Sequence, residues 1–251
     1  MSRALLLRAS AIALPLAVWQ LIVTLGVLPT YVLPGPVTVL ASLVDGLGDG
    51  TLGAAIVTSL RRLLLGYGLS SAAGVLLGIA MGRSKTVAGL CGSLVAGLQP
   101  LPSICWMPLA LVWFGLNERA ILFVVVLATL GTVALAVRDA VLGIPKLWLR
   151  AAANMGLSGW SLWWHVVLPA ALPGTLTGLR IGWSYAWRAL MAGELLFVAG
   201  GLGQVMHVGR ELGDMARVMA TMITIVLLGL AFENLLLASV ERRMRRKWGL
   251  S

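Results

Sequence analysis

The chain has 251 residues, of which 59% are hydrophobic and only 11% are charged. About a quarter of the residues of an ordinary soluble domain are charged, so this composition excludes such a domain and predicts an all-α, polytopic membrane protein. The formal net charge is +10, but the basic residues lie at the ends of apolar runs and no nucleic-acid-binding motif is present. Membrane topology therefore accounts for the charge, and no nucleic-acid partner is expected.

The first two predicted spans are separated by a loop that contains no lysine or arginine. Residues 5–28 are too long for a signal-peptide core and lack its cleavage motif, so they are predicted to form a spanning helix. Prolines and a glycine between residues 29 and 36 break the chain, and residues 37–47 form a short amphipathic segment. The second span, residues 59–81, is followed by Arg83 and Lys85.

The third predicted span, residues 87–114, is interrupted by Pro100, Pro102 and Pro108. Proline lacks the backbone N–H that an interior helical position donates, so this helix is expected to kink or break. Irregular backbone at membrane depth is tolerated where it is buried in protein or lines a cavity. The stretch 100–108 is therefore predicted to line a cavity. The fourth span follows at residues 120–137.

Residues 170–198 and 218–240 are the fifth and sixth predicted spans, and a basic tail follows them. Six spans place both termini on one side of the membrane. The same side receives the basic residues after the second and fourth spans, so the termini are predicted to be cytoplasmic. Arg61 and Arg62 lie at the outer start of the second span and run against this bias, and we expect them to snorkel to the headgroups or to face protein.

The cysteines and histidines show no metal-site or disulfide spacing. Cys91 and Cys105 are expected to be buried thiols that behave as small hydrophobic residues. His165 and His207 are isolated from each other in the sequence. The sequence therefore predicts no metal and no redox centre.

The loop between the fourth and fifth spans reads RAAANMGLSGWSLWWHVVLP from Arg150 to Pro169. It predicts a short alanine-rich helix, a reversal of the backbone at Gly156, and a tryptophan-rich amphipathic segment suited to the membrane interface. Pro169 is expected to start the next helix, because proline is favoured in a first helical turn. An exposed helix with an apolar face on a cytoplasmic loop is suited to dock into a groove of a partner.

This pattern resembles the EAA loop of binding-protein-dependent ABC transporter permeases, E-A-A-x3-G-x9-I-x-L-P. Arg150 stands at the place of the glutamate, and Val166 at the place of the isoleucine. The positions that match are Ala151, Ala152, Gly156, Leu168 and Pro169.

The resemblance covers most of the chain. Within the family, the sequence is similar to the nitrate, sulfonate, taurine and bicarbonate subgroup, with an aliphatic sulfonate permease as the suggested relative. The pieces that carry it are Leu33-Pro34-Gly35-Pro36, Ser59-Leu60-Arg61-Arg62, Pro108-Leu109, Trp113-Phe114-Gly115, Gly178-Leu179-Arg180 and Glu194.

The resemblance implies a type I ABC importer permease fold with about six transmembrane helices, in the bacterial inner membrane. Residues 1–50 would hold the first helix and a periplasmic amphipathic segment. Residues 51–240 would form the permease core, with a cytoplasmic coupling loop at 143–168, and residues 241–251 a basic cytoplasmic tail.

The resemblance also implies a function and a set of partners. The chain would carry a small solute, such as an oxyanion or a sulfonate, from periplasm to cytoplasm by alternating access. It would pair with a second permease copy in a homodimer, with two ATP-binding subunits and with a periplasmic substrate-binding protein. None of the three lysines lies in a Walker A loop, so ATP and Mg²⁺ are expected on the partner, and the chain is not expected to be an enzyme or to hold a cofactor.

By the same resemblance, the residues that couple this chain to the ATPase are those of the loop: Arg150, Ala151, Ala152, Gly156, Leu168 and Pro169.

Charged residues inside a membrane usually face a cavity or a partner, and several lie in the fifth and sixth spans. Arg188, nearest the middle of the fifth span, is the first candidate for attracting an anion. The alternative is that it pairs with Glu194 or Glu233 in helix packing. Arg180, near the cytoplasmic end, is expected to snorkel or to serve coupling. The predicted translocation pathway comprises Arg188, Trp187, Glu194, Pro102 and Pro108.

Three other functions stay open at the level of the sequence. A permease of the same subgroup for a vitamin or pyrimidine precursor would carry the same motifs. An ATP-independent secondary transporter would show inverted repeats, and none is evident. An intramembrane enzyme would need a catalytic motif such as HExxH, and none is visible.

Overall fold

The computed structural model describes residues 3–196 and 200–233, and every secondary-structure element within these two ranges is helical. The chain divides into two compact units. The first comprises residues 1–59 and 194–228, and the second comprises residues 60–193 and 229–251. The predicted basic tail, 241–251, and the end of the sixth predicted span lie outside the described residues.

The first part of the chain follows the predicted order of elements. The helices are α1 (Arg3–Thr24), α2 (Pro36–Gly48) and α3 (Thr51–Arg83), then the single turn α4 (Lys85–Val87), a π-helical turn (Ala88–Gly92) and α5 (Ser93–Leu98). A 3₁₀ turn (Ser103–Trp106) leads into α6 (Met107–Phe114).

The second part begins with α7 (Glu118–Leu142), which is followed by the short helices α8 (Lys146–Asn154) and α9 (Gly159–Leu162) and a π-helical turn (Trp163–Val167). The remaining helices are α10 (Leu168–Leu196), α11 (Leu202–Glu211) and α12 (Met215–Phe232).

Three described helices, α3, α7 and α12, are long and apolar enough to cross a membrane. The predicted third span forms a pair of helical segments, Lys85–Leu98 and Ser103–Phe114, bent by 99° at the break, and the count becomes four if this pair is one span. The break lies at Pro100 and Pro102, as the sequence predicts. The first and fifth predicted spans correspond to α1 and α10, but α10 carries Arg180, Arg188 and Glu194 among its apolar residues.

α7 is the central helix of the second unit, and its packing against α3 depends on glycines. A Cβ placed on Gly78 would lie 2.6 Å from the carbonyl oxygen of Ala134 and 2.6 Å from Cβ of Val137. A Cβ on Gly74 or Gly82 would lie 2.9 or 2.7 Å from the nearest atom of the same helix. The spacing of four residues puts these glycines on one face of α3, where the two backbones come together without side chains between them.

A second row of glycines, in α10, packs against another part of α7. A Cβ on Gly174 would lie 2.6 Å from Cβ of Ala140, and a Cβ on Gly178 would lie 2.5 Å from Cβ of Ala136. α7 is thus held between two small-residue faces, and its own valines and alanines fill the remaining space. Val124, Val133 and Ala134 are fully buried as a result.

Of the basic pair at the start of the second predicted span, Arg62 faces protein, one of the two outcomes expected, while Arg61 binds the same carboxylate, that of Glu118, from an exposed position. Arg61 Nη2 lies 2.7 Å from Glu118 Oε1, and Arg62 Nη2 lies 2.9 Å from the same oxygen. Arg62 is only 1% exposed. The carboxylate of Glu118, the first residue of α7, therefore pairs with both arginines. This ion pair explains two basic residues that run against the positive-inside rule.

In the first unit, Leu52, Ala55 and Leu202 form a buried apolar cluster. The start of α3 is fixed by Asp49, whose carboxylate accepts hydrogen bonds from Thr51 Oγ1 at 2.7 Å and from Thr51 N–H at 2.9 Å. These two hydrogen bonds lower the pKa of Asp49 below its usual value, and the bond from the hydroxyl has the larger effect.

The glycine contacts predict opposite effects for two alanine substitutions in the same helix. Gly68 has no atom within 4 Å of an added Cβ, so Gly68→Ala is expected to raise stability by up to about 1 kcal/mol through helix propensity. Gly78→Ala drives a Cβ against the backbone of α7, and overpacking of this kind costs about 1–3 kcal/mol. Thermal unfolding of the two purified variants in detergent measures the difference, and equal midpoints would contradict the close packing of α3 on α7.

Candidate functional site

The loop that resembles the EAA motif folds into two short helices joined by a tight turn. α8 ends in a glycine-dependent reversal: Gly156 has φ +87°, its N–H donates to Ala153 O, and Leu157 N–H donates to Ala152 O, both at 3.0 Å. These two bonds define a Schellman motif, in which a left-handed residue follows the helix and satisfies its last carbonyls. The predicted turn at Gly156 is confirmed, and only glycine adopts this φ without strain.

The base of the loop is buried against the ends of two long helices. Val141 at the end of α7, Ile144, Val167 in the π-helical turn and Ala171 at the start of α10 form one buried cluster, with partly buried neighbours packed around them. These contacts tie the loop to α7 and α10 together. A displacement of the loop would therefore act on both helices.

The exposed side of α8, from Leu147 to Met155, which we call the tip of the loop, carries apolar side chains. Met155 is 82% exposed and Leu147 is 73% exposed, while Ala152 on the other side of α8 is buried. Arg150 and Ala151, two of the predicted coupling residues, are exposed, and Leu168 and Pro169 are half-buried at the start of α10. The predicted coupling residues therefore form two groups, one at the tip and one at the base.

The tryptophans of the loop contact the end of α3. The guanidinium carbon of Arg83 lies 5.8 Å from the ring centre of Trp160 and 5.7 Å from that of Trp163, within the range of a cation–π interaction. Trp160 also stacks on Trp164, with ring centres 6.1 Å apart. This contact anchors the second half of the loop to another helix of the same unit.

Pro169 lies in the first turn of α10, as predicted, but no break in helical backbone precedes it. Helical backbone runs from Gly159 to Leu196, with a π-helical turn at Trp163–Val167 directly before α10. The N–H of Leu168 donates to Trp163 O, five residues back. This wider turn shifts the hydrogen-bond register just before Pro169, which has no N–H to donate, and the helix continues.

The broken third span lines a cavity of about 710 Å³ in the second unit, as predicted for the stretch around the prolines. α5, the 3₁₀ turn, α7 and α10 all contribute to its wall. Its polar lining comprises Arg188, Tyr185, Gln99, Ser103, Thr132 and Cys91. Most of the other lining side chains are leucine, valine, alanine, proline or tryptophan.

Arg188 reaches this cavity from α10. Its Nε donates to the carbonyl of Ser184 at 3.1 Å, and its guanidinium carbon lies 4.6 Å from the ring centre of Tyr185. Glu233, one of the two carboxylates considered as its partner, instead pairs with Arg180 at 2.8 Å. In the described part of the second unit, no carboxylate forms an ion pair with Arg188.

The other predicted pathway residues are distributed over different places. Pro102 lines the same cavity as Arg188. Trp187 packs near Gly229 of α12, where a Cβ would lie 3.5 Å from its Nε1. Pro108 is in the first turn of α6. The structure thus brings together two of the five predicted pathway residues.

Glu194 lies in a buried polar cluster of the first unit. Its carboxylate accepts hydrogen bonds from Ser59 Oγ at 2.7 Å and from the N–H of Gly203 at 3.1 Å, and Leu202 N–H donates to Ser59 Oγ at 2.9 Å. Two backbone donors at the start of α11 are satisfied in this way, and a carboxylate is favourable at that end of a helix. The observed contacts give Glu194 a role in positioning α11.

Sequence reasoning missed Gln99, Thr132 and Tyr185 as cavity residues. Gln99 Nε2 donates to Thr132 Oγ1 at 3.3 Å across the cavity wall. Gln99 directly precedes the broken backbone at Pro100, which is a weak signal in the sequence. Thr132 carries no such signal, because nothing in the apolar run of α7 tells which face points to the cavity.

The cysteines differ from the prediction that both are buried. Cys91 is half-buried in the cavity wall, and Cys105 is exposed in the 3₁₀ turn. The break in the third span is the physical reason, because it exposes side chains that an unbroken helix would pack. Among the described residues, no group of three or more histidine, cysteine, aspartate or glutamate side chains could hold a metal ion.

The described residues form an all-helical structure with several apolar helices and a broken span beside a cavity, an architecture typical of membrane transport proteins. Residues 74–246 match the family of the binding-protein-dependent transport system inner membrane component, and the chain belongs to this family. It is therefore an ABC transporter permease subunit of the inner membrane and not an enzyme, and its family implies ATP-binding partners and a substrate-binding protein.

The chain is similar to named relatives over nearly its whole length. It is 33% identical to the taurine transport system permease protein TauC of Escherichia coli, over 97% of this chain and 90% of the relative. It is 31% identical to the putative aliphatic sulfonates transport permease protein SsuC of the same organism, over 89% of this chain and 86% of the relative.

Among solved structures, the inward-facing MetNI methionine ABC transporter has a chain similar to this one, with a TM-score of 0.63 and 20% identity, over 76% of this chain and 96% of the other. At this identity the similarity shows the fold, which is that of a type I ABC importer permease.

Removal of the Ser59 hydroxyl from the cluster around Glu194 is expected to lower the stability of the protein. Ser59→Ala leaves the buried N–H of Leu202 without its acceptor and removes a donor to the carboxylate, which is expected to cost about 1–3 kcal/mol. The neighbouring Thr58 is half-buried and its hydroxyl donates to Ala54 O in its own helix, so Thr58→Ala serves as the matched control, with a change within about 0.5 kcal/mol. Thermal unfolding in detergent measures both, and equal losses would show that the cluster does not stabilise the fold.

Proposed function

We propose that this chain is the membrane-spanning subunit of an ATP-driven importer that moves a small organic or inorganic anion from the periplasm to the cytoplasm by alternating access. The observation that carries the proposal is the loop between α7 and α10, whose apolar tip is exposed while its base is packed on both helices. Such a loop can receive a force at its tip and transmit it to the two helices.

ATP and Mg²⁺ would be bound by the partner subunits. The sequence has no Walker A loop to hold a phosphate group, so energy reaches this chain through a contact surface. Met155 and Leu147 supply exposed apolar area for an ATPase groove. We propose that Arg150 lies at the edge of that contact and that Ala152 and Gly156 maintain the shape that presents it.

Transmission would follow the rigid packing of α7. The cluster at Val141 lies about ten residues along α7 from the cavity wall at Gly131, which is about 15 Å at the helical rise. Because glycine rows in α3 and α10 clamp this helix, it moves as a body rather than by bending. A tilt imposed at the loop would therefore change the cavity.

The anionic class of substrate is supported by Arg188 and by the relatives' names. Taurine and aliphatic sulfonates, the solutes in those names, share a sulfonate group. A guanidinium at membrane depth in the wall of a cavity provides a counter-charge for such a group. We propose that the second permease is another copy of this chain, with a periplasmic binding protein delivering the solute.

The proposal is tested by co-purification of the partner ATPase with single variants at exposed positions. Met155→Asp and Leu147→Asp place a charge on the tip of the loop and are expected to reduce the recovered ATPase by tenfold or more, because an apolar contact becomes a desolvated carboxylate. Leu116→Asp is the matched control: Leu116 is 75% exposed but precedes the opposite end of α7, so ATPase recovery is expected to stay at the wild-type level.

ATP-dependent uptake by proteoliposomes that contain the assembled transporter and its binding protein gives the second measurement. Tip variants that keep both ATPase recovery and uptake would show that the loop is not the docking element. Uptake that proceeds without any ATPase would overturn the importer assignment in favour of a secondary transporter.

A further inference from the structure

The cavity beside the broken third span has the composition of a site for an amphiphilic anion. One cationic side chain, Arg188, lies in its wall, together with the neutral hydrogen-bonding side chains of Gln99, Ser103 and Thr132. The larger part of the wall is apolar, with leucines from α3, α5 and α7 among its residues. The lining contains no aspartate or glutamate among the described residues.

The size of the cavity suits a small organic molecule. At about 710 Å³ it falls within the range of roughly 300–1,000 Å³ that is usual for small-molecule sites. An inorganic oxyanion would fill a small part of it and would leave the apolar wall without contacts. The volume therefore favours a ligand with a chain attached to its charged group.

Arg188 is placed to hold the charged end of such a ligand. In the described structure the guanidinium makes one hydrogen bond, from Nε to the carbonyl of Ser184, and stacks on Tyr185. Both contacts fix its orientation, and the Nη donors are left for a ligand. Guanidinium groups bind the oxygens of carboxylates and phosphates through paired hydrogen bonds, and a sulfonate presents oxygens in the same tetrahedral arrangement as a phosphate.

The same lining discriminates among anions. Taurine carries an ammonium group, for which the lining offers no carboxylate partner among the described residues. Nitrate has no apolar part, so its transfer from water into this cavity gains only the contact with Arg188. An alkanesulfonate can place its sulfonate beside Arg188 and its alkyl chain against the apolar wall. Each buried methylene is expected to raise its affinity roughly fourfold.

We propose that this cavity is a substrate site within the permease for alkanesulfonates, with Arg188 binding the sulfonate and the leucine-rich wall binding the alkyl chain. This inference rests on the proposed function, since it names the substrate class of the same importer. It assigns part of the substrate selectivity to the membrane subunit, separately from the capture step of a periplasmic binding protein.

The experiment measures equilibrium binding to the full-length chain in lipid nanodiscs, with whichever ATPase co-purifies and without the binding protein. The probes are hexanesulfonate, ethanesulfonate, taurine and nitrate. Hexanesulfonate is expected to bind tightest, ethanesulfonate more weakly by roughly fourfold per methylene lost, and taurine and nitrate weakest. Equal affinities of hexanesulfonate and taurine, or no dependence on chain length, would overturn the proposal.

Two variants and a control test separately the sulfonate-binding part of the site at Arg188 and its apolar part. Arg188→Gln is expected to lower the affinity for both sulfonates by about tenfold or more, because a charge-assisted hydrogen bond is lost. Ala128→Phe fills part of the apolar wall and is expected to weaken hexanesulfonate while ethanesulfonate binding is kept. Arg119→Gln removes an exposed arginine outside the cavity and controls for the loss of charge and for partition into lipid.

The outcomes separate this inference from the proposed function. ATP-dependent uptake of taurine or nitrate, with no hexanesulfonate bound by the permease, would overturn the alkanesulfonate site and leave the importer in place. Binding of hexanesulfonate that is unchanged in both Arg188→Gln and Ala128→Phe would place the ligand elsewhere and would also overturn the site. Failure of uptake and of ATPase recovery would instead count against the proposed function.

Discussion

The second unit depends on the close approach of α7 to two glycine-lined faces. Gly78 of α3 and Gly178 of α10 leave no room for a Cβ against α7, so backbones and small side chains meet directly. In a membrane, where lipid is as apolar as a leucine side chain, such packing and not hydrophobic burial brings helices together. The glycine-lined faces of α3 and α10 therefore hold α7 from two sides.

The loop and the cavity are both built on this clamped helix. Val141, near the C-terminal end of α7, belongs to the buried base of the loop, and Thr132, nearer its middle, belongs to the cavity wall. A Schellman motif at Gly156 reverses the backbone of the loop and leaves Met155 exposed. The loop and the cavity, to which we assign the ATPase contact and the solute in the proposed function, are thus both in contact with α7.

Charges within the chain are used in different ways, and their sequence positions alone do not tell which. Arg62 and Glu118 pair at the N-terminal end of α7, and Arg180 pairs with Glu233. Arg188, eight residues after Arg180 in the same helix, instead stacks on Tyr185 in the cavity wall. The difference arises because burial and partners come from other helices, whose faces are set by packing.

The helical class, the approximate positions of the long helices, the break at Pro100 and Pro102 and the turn at Gly156 follow from the sequence, because apolar run length, proline and glycine act locally on the backbone. The sequence also indicated the family, through the spacing of small residues and proline in one loop. The tertiary structure was needed to show which polar residues share the cavity, that Glu194 caps α11 and that Cys105 is exposed. These features depend on contacts between residues far apart in the chain, and a single sequence does not specify such contacts.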